Sequence, residues 1–118
     1  MAHVLVVDDS KFARLTLRTI LEEGGHQVSE AENAARGLEL SLQLKPDLVT
    51  IDLLMPGTSG QELLRQLISH HLPCPVVVVS ADIQKATYNE VMEIGAAAFV
   101  QKPSDAEEFL ETINRLLK

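Results

Sequence analysis

The chain has almost no cysteine. Cys74 stands alone among 118 residues, so no intrachain disulfide can form, and the composition suits a reducing compartment. Positive charge is also scarce. Ten Lys and Arg face seventeen Asp and Glu, a formal net charge of −7. That balance argues against nucleic acid as a direct ligand, because phosphate contacts need a surplus of cations; it suits a protein that meets basic surfaces or binds a cation. No apolar run approaches the ~18 residues of a membrane span, and the N-terminal MAHVLVVDDS lacks the basic segment and long apolar stretch of a signal peptide. A cytoplasmic protein with no membrane contact is expected. Repeats, low-complexity tracts and linkers are absent too. What is present is 46% hydrophobic and 23% charged residues, a globular composition at the length of one domain, residues 1–118.

Short apolar runs alternate with helical periods. The expected strands are Val4–Val7, Gln27–Ala31, Leu48–Ile51, Val76–Val79 and Ala97–Val100. Runs that are apolar at successive positions suit a parallel sheet covered on both faces. After Ser10, the positions Ala13, Leu17, Ile20 and Leu21 share one helical face, and Gly24-Gly25 stops that helix. Ser59 with Glu62, and Ser104 with Glu107, are capping-box signatures ahead of two further helices. Asp82 is placed to cap a helix that runs to Ile94 and ends at Gly95. The segment GLELSLQLK alternates with a strand-like period of two. Asn33 nevertheless offers a cap, and a crossover between parallel strands needs a helix. A helix is expected, with Ala34, Ala35, Leu38 and Leu42 on its inner face. Leu40 and Leu44 then point the other way, either against the sheet edge or toward a partner. The result is an α/β fold: a (βα)5 doubly wound, five-stranded parallel sheet with helices on both faces, the flavodoxin-like arrangement. Such sheets bind ligands beyond the carboxyl ends of the strands.

The chemistry-bearing residues fall at those ends. Asp8 and Asp9 follow the first strand, Asp52 the third, Ser80 the fourth, and Lys102-Pro103 the fifth. Adjacent carboxylates cannot all stay ionised without compensation. Lys102 supplies one positive charge and a hard divalent cation such as Mg2+ would supply two more. An acidic pair at a helix start is also common for dipole reasons alone; it is the placement of Asp52 and Lys102 that favours the metal.

These four elements, in this order, together with the LLMPGTSG that follows Asp52, resemble the receiver domain of bacterial two-component response regulators over the whole chain. With no output domain visible, the likeness is to stand-alone, chemotaxis-type regulators. The resemblance implies a phosphorylation-activated signalling switch and not an enzyme in the ordinary sense. Asp52 would be the phosphoacceptor. Asp9, Asp52 and the backbone carbonyl of Leu54 would hold Mg2+, with Asp8 acting through water. Ser80 would hydrogen-bond the phosphoryl group beside the small Ala81. Lys102 would pair with that group and, before phosphorylation, with Asp52. The Lys102–Pro103 bond would be cis. Leu54 and Asp82 would flank the phosphoryl group and influence its lifetime. Phe99 would turn inward on activation, on a helix 4–strand 5–helix 5 output face that Tyr88 also reaches. Read without the family, Phe99 serves equally as strand core and Tyr88 as an amphipathic edge residue. The implied partners are a sensor histidine kinase or phosphotransfer protein and a downstream effector, with the chain a monomer or a phosphorylation-dependent dimer.

Three other readings fit less well. An aspartate-nucleophile phosphatase needs a second acid two residues after the nucleophile, where Leu54 stands. A flavodoxin-like cofactor binder needs a phosphate-cradling loop where Asp8 and Asp9 would repel phosphate. A degenerate receiver acting as an interaction module would have lost Asp52 or Lys102. The HHLPCP stretch, with His70, His71 and Cys74, lacks the second ligand pair of a zinc site.

Overall fold

The computed structural model describes residues 2–82, 84–102 and 105–118. Five strands and five helices alternate: β1 (His3–Val7), α1 (Lys11–Glu23), β2 (Gln27–Ala31), α2 (Ala34–Leu44), β3 (Leu48–Ile51), α3 (Gly60–Ser69), β4 (Val76–Ser80), α4 (Lys85–Ile94), β5 (Ala98–Gln101) and α5 (Ala106–Leu116). All pairings are parallel, in the order β2-β1-β3-β4-β5. The chain steps outward from β1 to β2 and then crosses back to β3. The direction of winding therefore reverses between β1 and β3, where a ligand crevice is expected. The fifth strand lies one residue further along than its apolar run suggests.

Successive side chains of a strand point to opposite faces, and two cores follow. Leu5, Val7, Val49 and Ile51 pack with Leu63, Leu64 and Leu67 of α3 and Val91 of α4. Val4, Val6, Leu48, Val77 and Val79 pack with Leu17 and Leu21 of α1 and Phe109 and Ile113 of α5. Both faces of the sheet are covered, which is why these strands read as continuous apolar runs.

Helix starts follow local chemistry, with two corrections. Ser10, Asn33 and Ser59 cap α1, α2 and α3 by accepting the amides of Ala13, Arg36 and Glu62. The cap of α5 is Asp105, not Ser104. Its carboxylate accepts the amides of Glu107 and Glu108, and a charged acceptor is the stronger partner at the positive end of a helix. α4 starts at Gln84 with no side-chain cap. Asp82 lies just upstream, where it accepts the Gln84 amide at 2.9 Å and the Thr87 hydroxyl at 2.9 Å. Ser104 and the Pro103 side of the Lys102–Pro103 bond lie outside the described residues.

α2 is a helix, but its inner face is rotated from the expected one. Ala34, Gly37, Leu40 and Ser41 are buried, while Ala35, Leu42 and Leu44 are exposed. Gly37 explains the rotation: a Cβ there would stand 3.0 Å from both methyls of Val7. The helix leans on the sheet through that bare backbone, which turns Leu40 inward and Leu42 out.

Candidate functional site

Register assembles the rim. Val7 of β1 pairs with Ile51 of β3, so the residues that follow, Asp8 and Asp52, leave the sheet side by side. Their backbones are tied to it: the Asp8 amide donates to Ala31 O at 3.1 Å and the Asp52 amide to Val7 O at 3.0 Å. Ser80 pairs with Gln101, and the next amide, that of Lys102, donates to Ser80 O at 2.8 Å. Asp8 and Asp52 are buried and Asp9 is exposed. One carboxylate oxygen from each of the three lies within 4.8 Å of the others, and among the described residues no other group of three or more His, Cys, Asp or Glu meets in this way.

Lys102 faces the cluster. Its Nζ donates to Asp8 Oδ2 at 2.6 Å and stands 3.7 Å from Asp52 Oδ2. The expected ion pair with Asp52 is present but is the longer of two; the direct hydrogen bond goes to Asp8. The other oxygen of Asp8, Oδ1, accepts the Ser10 amide at 2.9 Å. Asp52, buried, has Lys102 only at the longer distance. Burial pushes its carboxyl pKa up, Lys102 opposes this, Asp8 pushes it up further, a backbone hydrogen bond from Leu54 opposes it, and Asp9 adds a last upward push. A single ammonium does not neutralise three carboxylates. Hard oxygen donors, excess negative charge and one exposed face are what a small divalent cation such as Mg2+ accepts, and the residues present fit it.

The remaining expected residues are placed as follows. Ser80 is fully buried at the end of β4, and its Oγ accepts the Asp82 amide at 3.1 Å. Ala81 is exposed beside it. Leu54 is 67% exposed next to the site, an apolar side chain where a phosphatase would carry its acid. Phe99 is half-buried and meets the exposed Tyr88 edge to face, with ring centroids 5.8 Å apart. Cys74 is half-buried, and burial pushes its thiol up to about 11. At neutral pH it stays a thiol and a poor metal ligand.

Two contributors were not legible as site residues. Arg14 donates from Nη1 to the Asp8 carbonyl at 2.7 Å and from Nε to Glu30 Oε1 at 3.0 Å. Its only local signal is a cation one helical turn beyond the Ser10 cap. Gly60 allows α3 to start against the end of β3: a Cβ there would sit 2.3 Å from Asp52 O and 2.7 Å from Leu53 Cα. A glycine right after a capping serine was the available hint.

Comparison with known proteins agrees with this arrangement. A family model described as "Response regulator receiver domain" matches residues 4–114. The protein PilH of Pseudomonas aeruginosa is 40% identical over 119 residues, covering 99% of this chain and 98% of PilH. The chemotaxis protein CheY of Bacillus subtilis is 36% identical, covering 99% of each. The solved structure of Vibrio cholerae chemotaxis protein CheY4 superposes with a TM-score of 0.92 at 25% identity and 98% coverage of both chains. A match across nearly all of this chain, together with an acid triad and a lysine at the strand ends, establishes that the protein belongs to the receiver-domain family of two-component response regulators.

Proposed function

We propose that residues 1–118 act as a phosphorylation-activated switch in which Asp52 accepts a phosphoryl group from the phosphohistidine of a kinase or phosphotransfer protein. The observation that carries this reading is the Asp52 carboxylate. It is buried at the rim, lies within reach of Lys102, and is left by Asp8 and Asp9 in excess negative charge. An oxygen of Asp52 attacks phosphorus, the P–N bond to the donor imidazole breaks, and its electron pair stays on the imidazole. The product is an acyl phosphate. A carboxylate is a usable nucleophile only when the charge on the transferring group is offset.

Asp9, Asp52 and the Leu54 carbonyl would hold Mg2+, with Asp8 acting through water. When bound, the ion neutralises charge on the transferring phosphoryl oxygens. Lys102, now on Asp8, is near enough to exchange that bond for one to the phosphoryl group. Ser80 would give up the Asp82 amide to donate to the same group. That exchange loosens the start of α4, where Asp82 also holds the Gln84 amide and the Thr87 hydroxyl. The Phe99–Tyr88 pair on β5 and α4 would repack, presenting the α4–β5–α5 face to an effector. Ala81 leaves room for that movement, and Leu54 and Asp82 flank the site and set the lifetime of the acyl phosphate. The chemotaxis proteins among its relatives favour chemotaxis signalling as the setting.

The test is labelling with acetyl phosphate and Mg2+. One phosphoryl group is expected, at Asp52, labile to hydroxylamine and alkali. Asp52→Asn should abolish it, because an amide is not a competent nucleophile. Lys102→Ala should slow labelling without eliminating it and uncouple it from the change at Phe99. Label on Ser80 or a histidine, or label surviving in Asp52→Asn, would show the site to be wrongly assigned.

A further inference from the structure

We infer that Arg14 is a positioning residue for the metal cluster: its guanidinium clamps the Asp8–Asp9 peptide and so fixes where the Asp9 carboxylate stands. The inference rests on reading Asp9 and Asp52 as Mg2+ ligands, with Asp8 acting through water.

Asp8 is held at every polar atom. Its amide donates to Ala31 O at 3.1 Å. Its carboxylate takes the Ser10 amide at 2.9 Å and Lys102 Nζ at 2.6 Å. Its carbonyl takes Arg14 Nη1 at 2.7 Å. That carbonyl belongs to the peptide plane shared with Asp9. Asp9 itself is exposed, so the orientation of its Cα depends on the plane that precedes it.

Arg14 is in turn anchored on the edge strand. Its Nε donates to Glu30 Oε1 at 3.0 Å, and Glu30 Oε2 takes Arg18 Nη1 at 2.6 Å. The Arg14 side chain is only 14% exposed, so it is not an ordinary solvated surface cation. The planar fork of a guanidinium can reach a carboxylate and a carbonyl in two fixed directions at once. A lysine ammonium, a point charge on a flexible stem, cannot reproduce that. Groups that orient metal ligands commonly govern affinity by about 10–100-fold.

Two measurements decide the matter. The first is hydrogen exchange at the Ser10 amide in metal-free protein. Arg14→Ala should speed it, because the turn that holds it to Asp8 Oδ1 loosens, while Leu17 in the middle of α1 keeps its protection. Unchanged exchange at Ser10, or equal loss at Leu17, overturns the inference. The second is calorimetric titration with Mg2+. Arg14→Ala should weaken binding about tenfold, and Arg14→Lys should remain nearly as weak although its charge is restored. Arg18→Ala, which removes the second cation on Glu30 but leaves Arg14 on both Glu30 and the Asp8 carbonyl, should stay within about twofold of the parent. Full rescue by lysine would show that charge alone matters, and an equal loss in Arg18→Ala would show a general effect of the ion-pair network; either result overturns the inference. Failure of the parent protein to bind Mg2+ removes the metal reading, while exchange at Ser10 still decides whether Arg14 holds the peptide.

Discussion

The centre of the sheet and its β5–α4 edge are built to different standards. Every residue of β3 and β4 is buried, whereas in β5 only Val100 is. α3, against the centre, buries Gly60, Leu63, Leu64 and Leu67 and is capped by Ser59. α4, against the edge, buries Val91 alone and has no side-chain cap. Asp8 and Asp52 hang from the stiff half and Phe99 and Tyr88 from the loose one, with Ser80, Asp82 and Lys102 between them. Local opening is cheapest where few apolar contacts and caps oppose it. On the proposed function, this difference would let one small domain hold the Asp52 carboxylate in place while the α4–β5 surface moves in response.

Core truncation should sharpen the contrast most. Leu63→Ala should cost ~3–5 kcal/mol in urea unfolding, since its side chain is fully enclosed by strands and helices. Val91→Ala should cost roughly 2 kcal/mol and selectively speed amide exchange in α4. Equal costs with uniform exchange would erase the distinction between the regions. Mg2+ should act next, and on the centre. At a hundredfold excess over its dissociation constant it should stabilise the fold by about 2.7 kcal/mol, and Asp9→Ala should lose most of that gain. Greater protection in α4 than at the ends of β1 and β3 would break the comparison.

A smaller effect concerns pH in the metal-free protein. The folded-state pKa of Asp52 is raised, chiefly by burial. The native state therefore retains a proton that the unfolded chain has already lost, and this group's contribution to stability declines as pH rises through that range. Asp52→Asn should melt higher than the parent at pH 7, and the advantage should fade at pH values below the ordinary carboxylate pKa. An advantage that grows toward acid would contradict the cause assigned to the shift. The smallest effect marks a floor. Arg36→Ala removes an exposed pair with Glu39 on the outer face of α2, and thermal melts should move by less than about 0.5 kcal/mol in stability.

The positions of the strands, the acids that end them, and the caps at Asn33 and Ser59 were decided locally. Strand burial and capping depend on residues within a few positions of each other, and short-range pattern carries that information. Asp52 and Asp8 were legible for the same reason, each being the first polar residue after an apolar run. Other features needed the folded chain. The rotation of α2 depends on Gly37 meeting Val7, thirty residues away in sequence. The choice of Asp8 over Asp52 by Lys102 joins residues 94 positions apart and is set by the β4–β5 and β1–β3 registers together. Arg14 reads as one more helix-surface cation until β2 brings Glu30 beside it. Hydrophobic period and capping belong to the sequence. Which of several like-charged groups a given cation reaches is a matter of ångströms, and only the packed sheet and its helices determine those.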